Sequence, residues 1–173
     1  MGSGSKKATE LYHIKKNYLG SLALADITIA RYPGTREAES ARLMHGMYHE
    51  SQKNDREAVH VYEELANDRG VSKPGRIEAH KKLWSLYSNL GRTGEAIRSL
   101  NVVADASVNN EDDFVYAHYY LGHLYFISGP SKYPDASKEL NLVIYRNPNR
   151  GYAKYARNLL AQISAKSTDT LLP

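Results

Sequence analysis

This chain has no cysteine, which removes disulfides, thiolate catalysis and cysteine-based zinc sites at once. The same absence suits an exported bacterial protein as well as a cytosolic one. No stretch approaches the roughly 18 apolar residues of a membrane span, and no charged-then-apolar leader opens the chain. It begins instead with Met1-Gly-Ser-Gly-Ser5, which reads as a cloning remnant standing in place of any native signal or lipid anchor. Lysine and arginine never form a block of five, and the net charge of +4 is spread along the chain without a nucleic-acid footprint. Period-two alternation long enough for a strand is missing. So are a glycine-rich phosphate loop, a G-x-S-x-G elbow and any His-Cys pairing. Enzyme chemistry has little to stand on.

What the chain does have is a repeat. His118-Tyr-Tyr-Leu-Gly-His-Leu-Tyr125, His80-Lys-Lys-Leu-Trp-Ser-Leu-Tyr87 and Arg42-Leu-Met-His-Gly-Met-Tyr-His49 can be laid over one another. Their fifth residues, Gly122, Trp84 and Gly46, stand 38 residues apart, and Ala136, Ala96 and Ala58 follow at helical spacing. A fixed period of this size signals stacked helical hairpins. Apolar positions recur at spacings of three and four, as in Leu83, Leu86, Tyr87 and Leu90, then Ala96, Ile97, Leu100 and Val103. Breaks at Tyr32-Pro-Gly34, Gln52–Asp55, Asp68–Gly70, Gly91–Gly94, Asn109-Asn110, Ser128–Ser131 and Asn147–Asn149 delimit the elements. They predict about nine helices, near 7–17, 19–32, 36–52, 55–68, 74–90, 93–106, 111–128, 133–146 and 150–165.

The residues behind the period resemble the tetratricopeptide repeat, whose pattern is W-x2-L-G-x2-Y, then A-x3-F, then P. Residues 115–148 carry Leu121-Gly122, Tyr125, Ala136, Leu140 in the aromatic slot and Pro148. Residues 77–110 carry Leu83, Tyr87, Gly91, Ala96 and Leu100, with Trp84 in the small-residue slot. Residues 39–72 keep Gly46, Ala58 and Tyr62, and a degenerate copy over 6–33 has Tyr12, Ser21, Ala25 and Tyr32-Pro33. The resemblance implies an all-α, right-handed α-α superhelix (a TPR solenoid) of about four hairpins. A capping helix at 150–165 would close a domain spanning 6–165, and residues 166–173 would form a disordered tail. Small residues at the crossing let two helix backbones approach, while Tyr and Leu fill the neighbouring gaps.

A shorter phrase recurs as well: Pro33 and Pro148 are each followed by alanines five and eight residues later, at Ala38 and Ala41 and at Ala153 and Ala156. It resembles bacterial cell-envelope tetratricopeptide proteins, such as the outer-membrane assembly lipoproteins and the Tol-Pal coordinator family. That resemblance implies a place in the periplasm or cell envelope, with the cytoplasm as the alternative.

Seven histidines invite a metal reading. His45 and His49 stand at i, i+4 on one helix, a spacing at which two imidazoles can share a cation. The zincin motif needs Glu directly after the first His, and Gly46 stands there, so two exposed histidines are the plainer expectation. His80 and His118 share one repeat slot and read as half-buried structural residues. Asp112 and Asp113 fall at a helix start, where the helix dipole favours them without catalysis. No metal and no cofactor are expected.

Tyrosine is the surplus, at 14 residues against two Phe and one Trp. The family resemblance implies a concave groove lined by fixed positions of each first helix. These are Ser40, Leu43, Met47 and Glu50, then Glu78, Lys81, Ser85 and Ser88, then Tyr116, Tyr119, His123 and Phe126, with Tyr155 and Asn158 on the last helix. Lys81, Tyr116, Tyr119, His123, Phe126 and Tyr155 are accordingly the expected partner-binding set, because rings with a polar handle are enriched in binding hot spots. Two arrangements are open: the aromatic end of the groove receives a partner, or the final helix covers it. The expected function is a non-enzymatic scaffold that holds a peptide or partner protein. The alternatives are a self-assembling oligomer and a metal-dependent activity at His45 and His49.

Overall fold

The computed structural model describes residues 20–149 and 151–169. Helix α1 covers residues 20–31. It is followed by α2 (Arg36–Ser51), α3 (Asp55–Asn67), α4 (Lys73–Asn89), α5 (Thr93–Ala106), α6 (Glu111–Ile127), α7 (Tyr133–Arg146) and α8 (Gly151–Asp169). A short 3-10 turn, Pro130–Lys132, leads into α7. No strand occurs among the described residues, and the fold is all-α. The helix expected at 7–17, the opening Met1–Ser5 and Tyr12 lie outside the described residues. At the other end α8 continues to Asp169, so four residues expected in a disordered tail extend the last helix. Gly151, read as a linker residue, is the first residue of that helix.

The stretch read as one domain divides by contact into two compact units, one ending at Leu86 and the other beginning at Tyr87. In the first, α2 packs against α3. Thr35 caps α2 by accepting a hydrogen bond from the Ala38 amide at 3.2 Å, with Glu37 and Glu39 in the first turn. Gly46 faces the ring of Tyr62 so closely that a Cβ on the glycine would enter the space of the ring. Tyr62 and Ala58 are fully buried, and the Tyr62 hydroxyl donates to Glu50 Oε1 at 2.5 Å. Glu39 is a buried carboxylate, 8 % exposed, that accepts from both the amide and the hydroxyl of Ser72 at 2.6 Å. The backbone of Gly75 makes room for it, since a Cβ there would lie 2.6 Å from Glu39 Oε2. Ser72 in turn accepts from the Gly75 amide at 3.2 Å and so caps the start of α4.

In the second unit, α6 packs against α5, α7 and α8, and α7 packs against α8. Its core joins Val115 of α6 with Ala136, Leu140 and Val143 of α7 and Ala156, Leu159 and Ile163 of α8. Gly122 seats Leu140 as Gly46 seats Tyr62, and these are the same two slots of the repeat. The alanines of the recurring Pro phrase are buried in both copies: Ala38 and Ala41 in the first unit, Ala153 and Ala156 in the second. A proline closes the preceding turn, and two small residues on the next helix allow it to pack closely.

The period also appears in the backbone. Lys53, Gly91 and Gly129 stand 38 residues apart in the sequence and all have positive φ, at 58°, 72° and 105°. Each amide bonds the carbonyl three residues back, on Glu50, Ser88 and Phe126. After the first two, the next amide reaches five residues back, Asn54 to His49 at 2.9 Å and Arg92 to Tyr87 at 2.8 Å. This is the left-handed helix ending that glycine favours, and at one copy a lysine occupies it. An L side chain there costs about 1–2 kcal/mol, against roughly 0.5–1 kcal/mol of chain entropy lost by glycine. Lys53→Gly should therefore stabilise the protein by about 0.5–1 kcal/mol in urea unfolding. An unchanged or lowered midpoint would show that the Lys53 side chain makes compensating contacts.

Candidate functional site

The tyrosines gather at one end of the second unit. On α6, Tyr116, Tyr119 and Tyr120 stand at i, i+3 and i+4, so they share a face, and on α8 Tyr152 and Tyr155 do the same. Ring centroids lie 4.8 Å apart for Tyr116 and Tyr120, 5.1 Å for Tyr119 and Tyr120 and 5.1 Å for Tyr119 and Tyr152. Tyr119 to Tyr155 is 6.2 Å. These separations and their tilted or edge-on planes suit the ring quadrupole. The terminal helix thus covers part of the α6 face. Tyr119 is half-buried against the core, whereas Tyr155 remains 54 % exposed.

Beside the covered part a cleft stays open. It holds about 470 Å³ and is lined by Asp112, Asp113, Tyr116, Asn147, Tyr152 and Tyr155 among others. Asn110 builds its acidic edge: its side chain accepts from the Asp113 amide at 3.2 Å and donates to Asp113 Oδ2 at 2.9 Å. Glu111, Asp112 and Asp113 all fall in the first turn of α6, where the helix dipole favours negative charge. Asn147, which caps the C-terminus of α7, hydrogen-bonds Glu111 through its side-chain amide. Burial, with Tyr120 beside it, pushes the Tyr152 phenol up to about 12, so it remains a neutral hydrogen-bonding group across the physiological range. Tyr119 is likewise raised, by burial first and by Tyr120 and Tyr155 second.

Of the residues expected to bind, Tyr116, Tyr119 and Tyr155 belong to this cluster. Phe126 sits further along α6, stacked on Tyr133 at 5.7 Å with the Lys166 ammonium 5.1 Å from its ring centre. It packs against the core. His123 is half-buried one turn after Tyr119. Lys81 belongs to the first unit, where it pairs with Glu78 at 3.7 Å. Sequence reasoning passed over Tyr120 and Tyr152, which are central to the cluster. Their positions adjoin Tyr119 and the recurring Pro phrase, but only the packing of α8 on α6 brings the two together.

The first unit holds a second cleft, of about 490 Å³, lined by Asp26, Arg42, His45, His49, Glu64 and Asp68 among others. The two histidines are half-buried rather than exposed, because they face this cleft. Asp26 Oδ1 lies 3.0 Å from His45 Nε2 without hydrogen-bond alignment, and no hydrogen bond reaches that nitrogen or His49 Nδ1. Arg42 donates to Asp68 Oδ2 at 2.8 Å, and this bond, with that from the Gly70 amide, holds the Asp68 carboxyl below its usual range. Among the described residues no three His, Asp or Glu side chains converge as a metal site requires. His118 is a structural histidine, paired through Nδ1 with Glu139 Oε2 at 2.6 Å and packed on Phe114 at 4.1 Å.

No protein-family model, curated protein or solved structure matches the chain.

His80 offers a test of these assignments. Its Nδ1 is buried without a hydrogen-bond partner, and burial lowers its pKa from the ordinary 6.5. The unfolded chain therefore takes up this proton first as the pH falls. The contribution of neutral His80 is intact above pH 6.5 and declines as the pH drops toward the folded value. Urea unfolding at about pH 7.5 and pH 5.5 should show His80→Leu losing less stability on acidification than the parent. Equal losses would mean that His80 reaches water when protonated.

Proposed function

We propose that this chain is a non-enzymatic interaction module of the tetratricopeptide type, which holds a segment of a partner protein against the tyrosine-rich face of α6 and α8. One observation carries the reading: five tyrosines from two helices surround an open cleft, and the most exposed of them, Tyr155, projects beside it. Tyrosine provides large, stiff contact area with a hydroxyl at its edge, the combination that recurs in binding hot spots. A chain that needed tyrosine only for its core would bury the rings and satisfy the phenols inside. Here the rings form a partly exposed sheet over the core instead.

The repeat itself supports the architecture. Period, small-residue seats and left-handed helix endings all recur at 38 residues, which favours a stacked solenoid of helical hairpins with α8 as its cap. The paired Pro-to-Ala phrases favour a place in a bacterial cell-envelope complex.

Panning a displayed peptide library on the immobilised protein tests the function without a named partner. Binders should be enriched, and Tyr155→Ala should weaken them by roughly thirtyfold, the equivalent of about 2 kcal/mol for a hot-spot ring. Its thermal melt should stay near that of the parent, because Tyr155 is largely exposed. Failure to enrich any peptide, or binders indifferent to Tyr155→Ala and Tyr116→Ala alike, would refute the site.

A further inference from the structure

The cleft beside Tyr155 has a chemistry more specific than an aromatic surface. We infer that it receives the cationic side chain of a partner segment, a lysine ammonium or an arginine guanidinium, between the faces of Tyr116, Tyr152 and Tyr155 and the carboxylates of Asp112 and Asp113. This rests on the interaction-module reading and names the group that the module would recognise.

Three observations point the same way. The rings come first: tyrosine faces carry negative potential and attract a cation within about 6 Å of the ring centre. The same helix already uses this contact elsewhere. Arg146 lies 5.0 Å over Phe114, Lys132 5.8 Å over Tyr125 and Lys166 5.1 Å over Phe126.

Charge comes second. The cleft lies at the N-terminal ends of α6 and α8, and helix N-termini on their own would favour an anion. Each contributes roughly +0.5 of an elementary charge, about +1 for the pair. Glu111, Asp112 and Asp113 in the first turn of α6 bring three negative charges, and α8 has no acid in its first turn. The balance is about −2, in a chain whose net charge is +4. Among the described lining residues none is basic. The sign at the cleft opposes that of the chain as a whole, which steers a cationic group there and away from the remaining surface.

Size and hydrogen bonding come third. At about 470 Å³ the cleft falls within the roughly 300–1,000 Å³ of ligand sites, room for one long side chain with its flanking backbone. The Tyr152 phenol stays protonated, so its ring remains a neutral platform and does not titrate against the bound cation.

The test titrates capped tripeptides, acetyl-Gly-X-Gly-amide, into protein with carbon-13 in its tyrosine rings, following the ring resonances by NMR. With X as arginine or lysine, the signals of Tyr116, Tyr152 and Tyr155 should shift in a saturable way that weakens as salt is added. Norleucine, which has no charge, and glutamate, which has the opposite one, should bind at least about tenfold more weakly. Asp112→Asn/Asp113→Asn and Tyr155→Leu should each weaken the arginine peptide by about threefold to thirtyfold. If Tyr155→Leu disturbs the fold, the Asp pair, at the solvent edge of the cleft, carries the test alone.

Equal binding of norleucine, or stronger binding of glutamate, would overturn the cation assignment. So would the absence of any ring shift with the arginine and lysine peptides. Library panning separates this failure from that of the module itself. Tyr155-dependent binders without a basic residue would keep the interaction function and discard the cationic ligand, whereas a failed panning would remove both.

Discussion

A Cβ placed on Gly122 would lie 2.7 Å from Leu140 Cγ and 3.3 Å from the Ala136 carbonyl oxygen, closer than side chains tolerate. The hairpin of α6 and α7 therefore closes as it does only because that position has no side chain. A glycine inside a helix costs roughly 0.5–1 kcal/mol relative to alanine. Burying Leu140 completely contributes about 1.5–3 kcal/mol, so packing outweighs propensity. The first unit solves the same problem with Gly46 under Tyr62. There the slot residue also orders a polar contact, since its hydroxyl donates to Glu50. Both seats fall in the same places of the 38-residue period.

The chemistry on the far side of α6 depends on this seat. Once α7 lies close against Gly122, α8 can pack on α6 and α7 together, through Ala156, Leu159 and Ile163. That packing brings Tyr152 and Tyr155 over Tyr119. A wider crossing between α6 and α7 would displace α8 and separate the rings. The tyrosine cluster is thus a product of close helix packing as well as of composition, and its open edge is the acidic first turn of α6.

Much of this was legible in the sequence. Helices α5 and α7 begin and end where the breaks at Gly91–Gly94, Asn109-Asn110 and Asn147–Asn149 place them, and the other described helices differ by a few residues at most. The close contact at Gly122 was legible too, because repeat alignment puts a small residue opposite a large one. Other features were hidden for physical reasons. Lys53 takes a left-handed conformation that its side chain disfavours, so only comparison with Gly91 and Gly129 reveals the shared turn. The Glu39 carboxylate is held by Ser72, a contact between distant parts of the chain that no local pattern announces. For the site, Tyr116, Tyr119 and Tyr155 were found from their helical spacing. Tyr120 and Tyr152 were not, because their role arises where two helices meet. His45 and His49 looked exposed by spacing alone, and a cleft shared with Asp26 and Asp68 half-buries them.

The claim on which everything else rests is that Gly122 and Leu140 compete for one volume. A thermodynamic cycle of Gly122→Ala, Leu140→Ala and the double variant, each unfolded in urea, measures it directly. Shortening Leu140 vacates the space that the new methyl group needs. The double variant should therefore be more stable than the two single losses added together, by a coupling of about 0.5–3 kcal/mol. Strictly additive losses would mean that the two residues do not share that space, and would contradict the account.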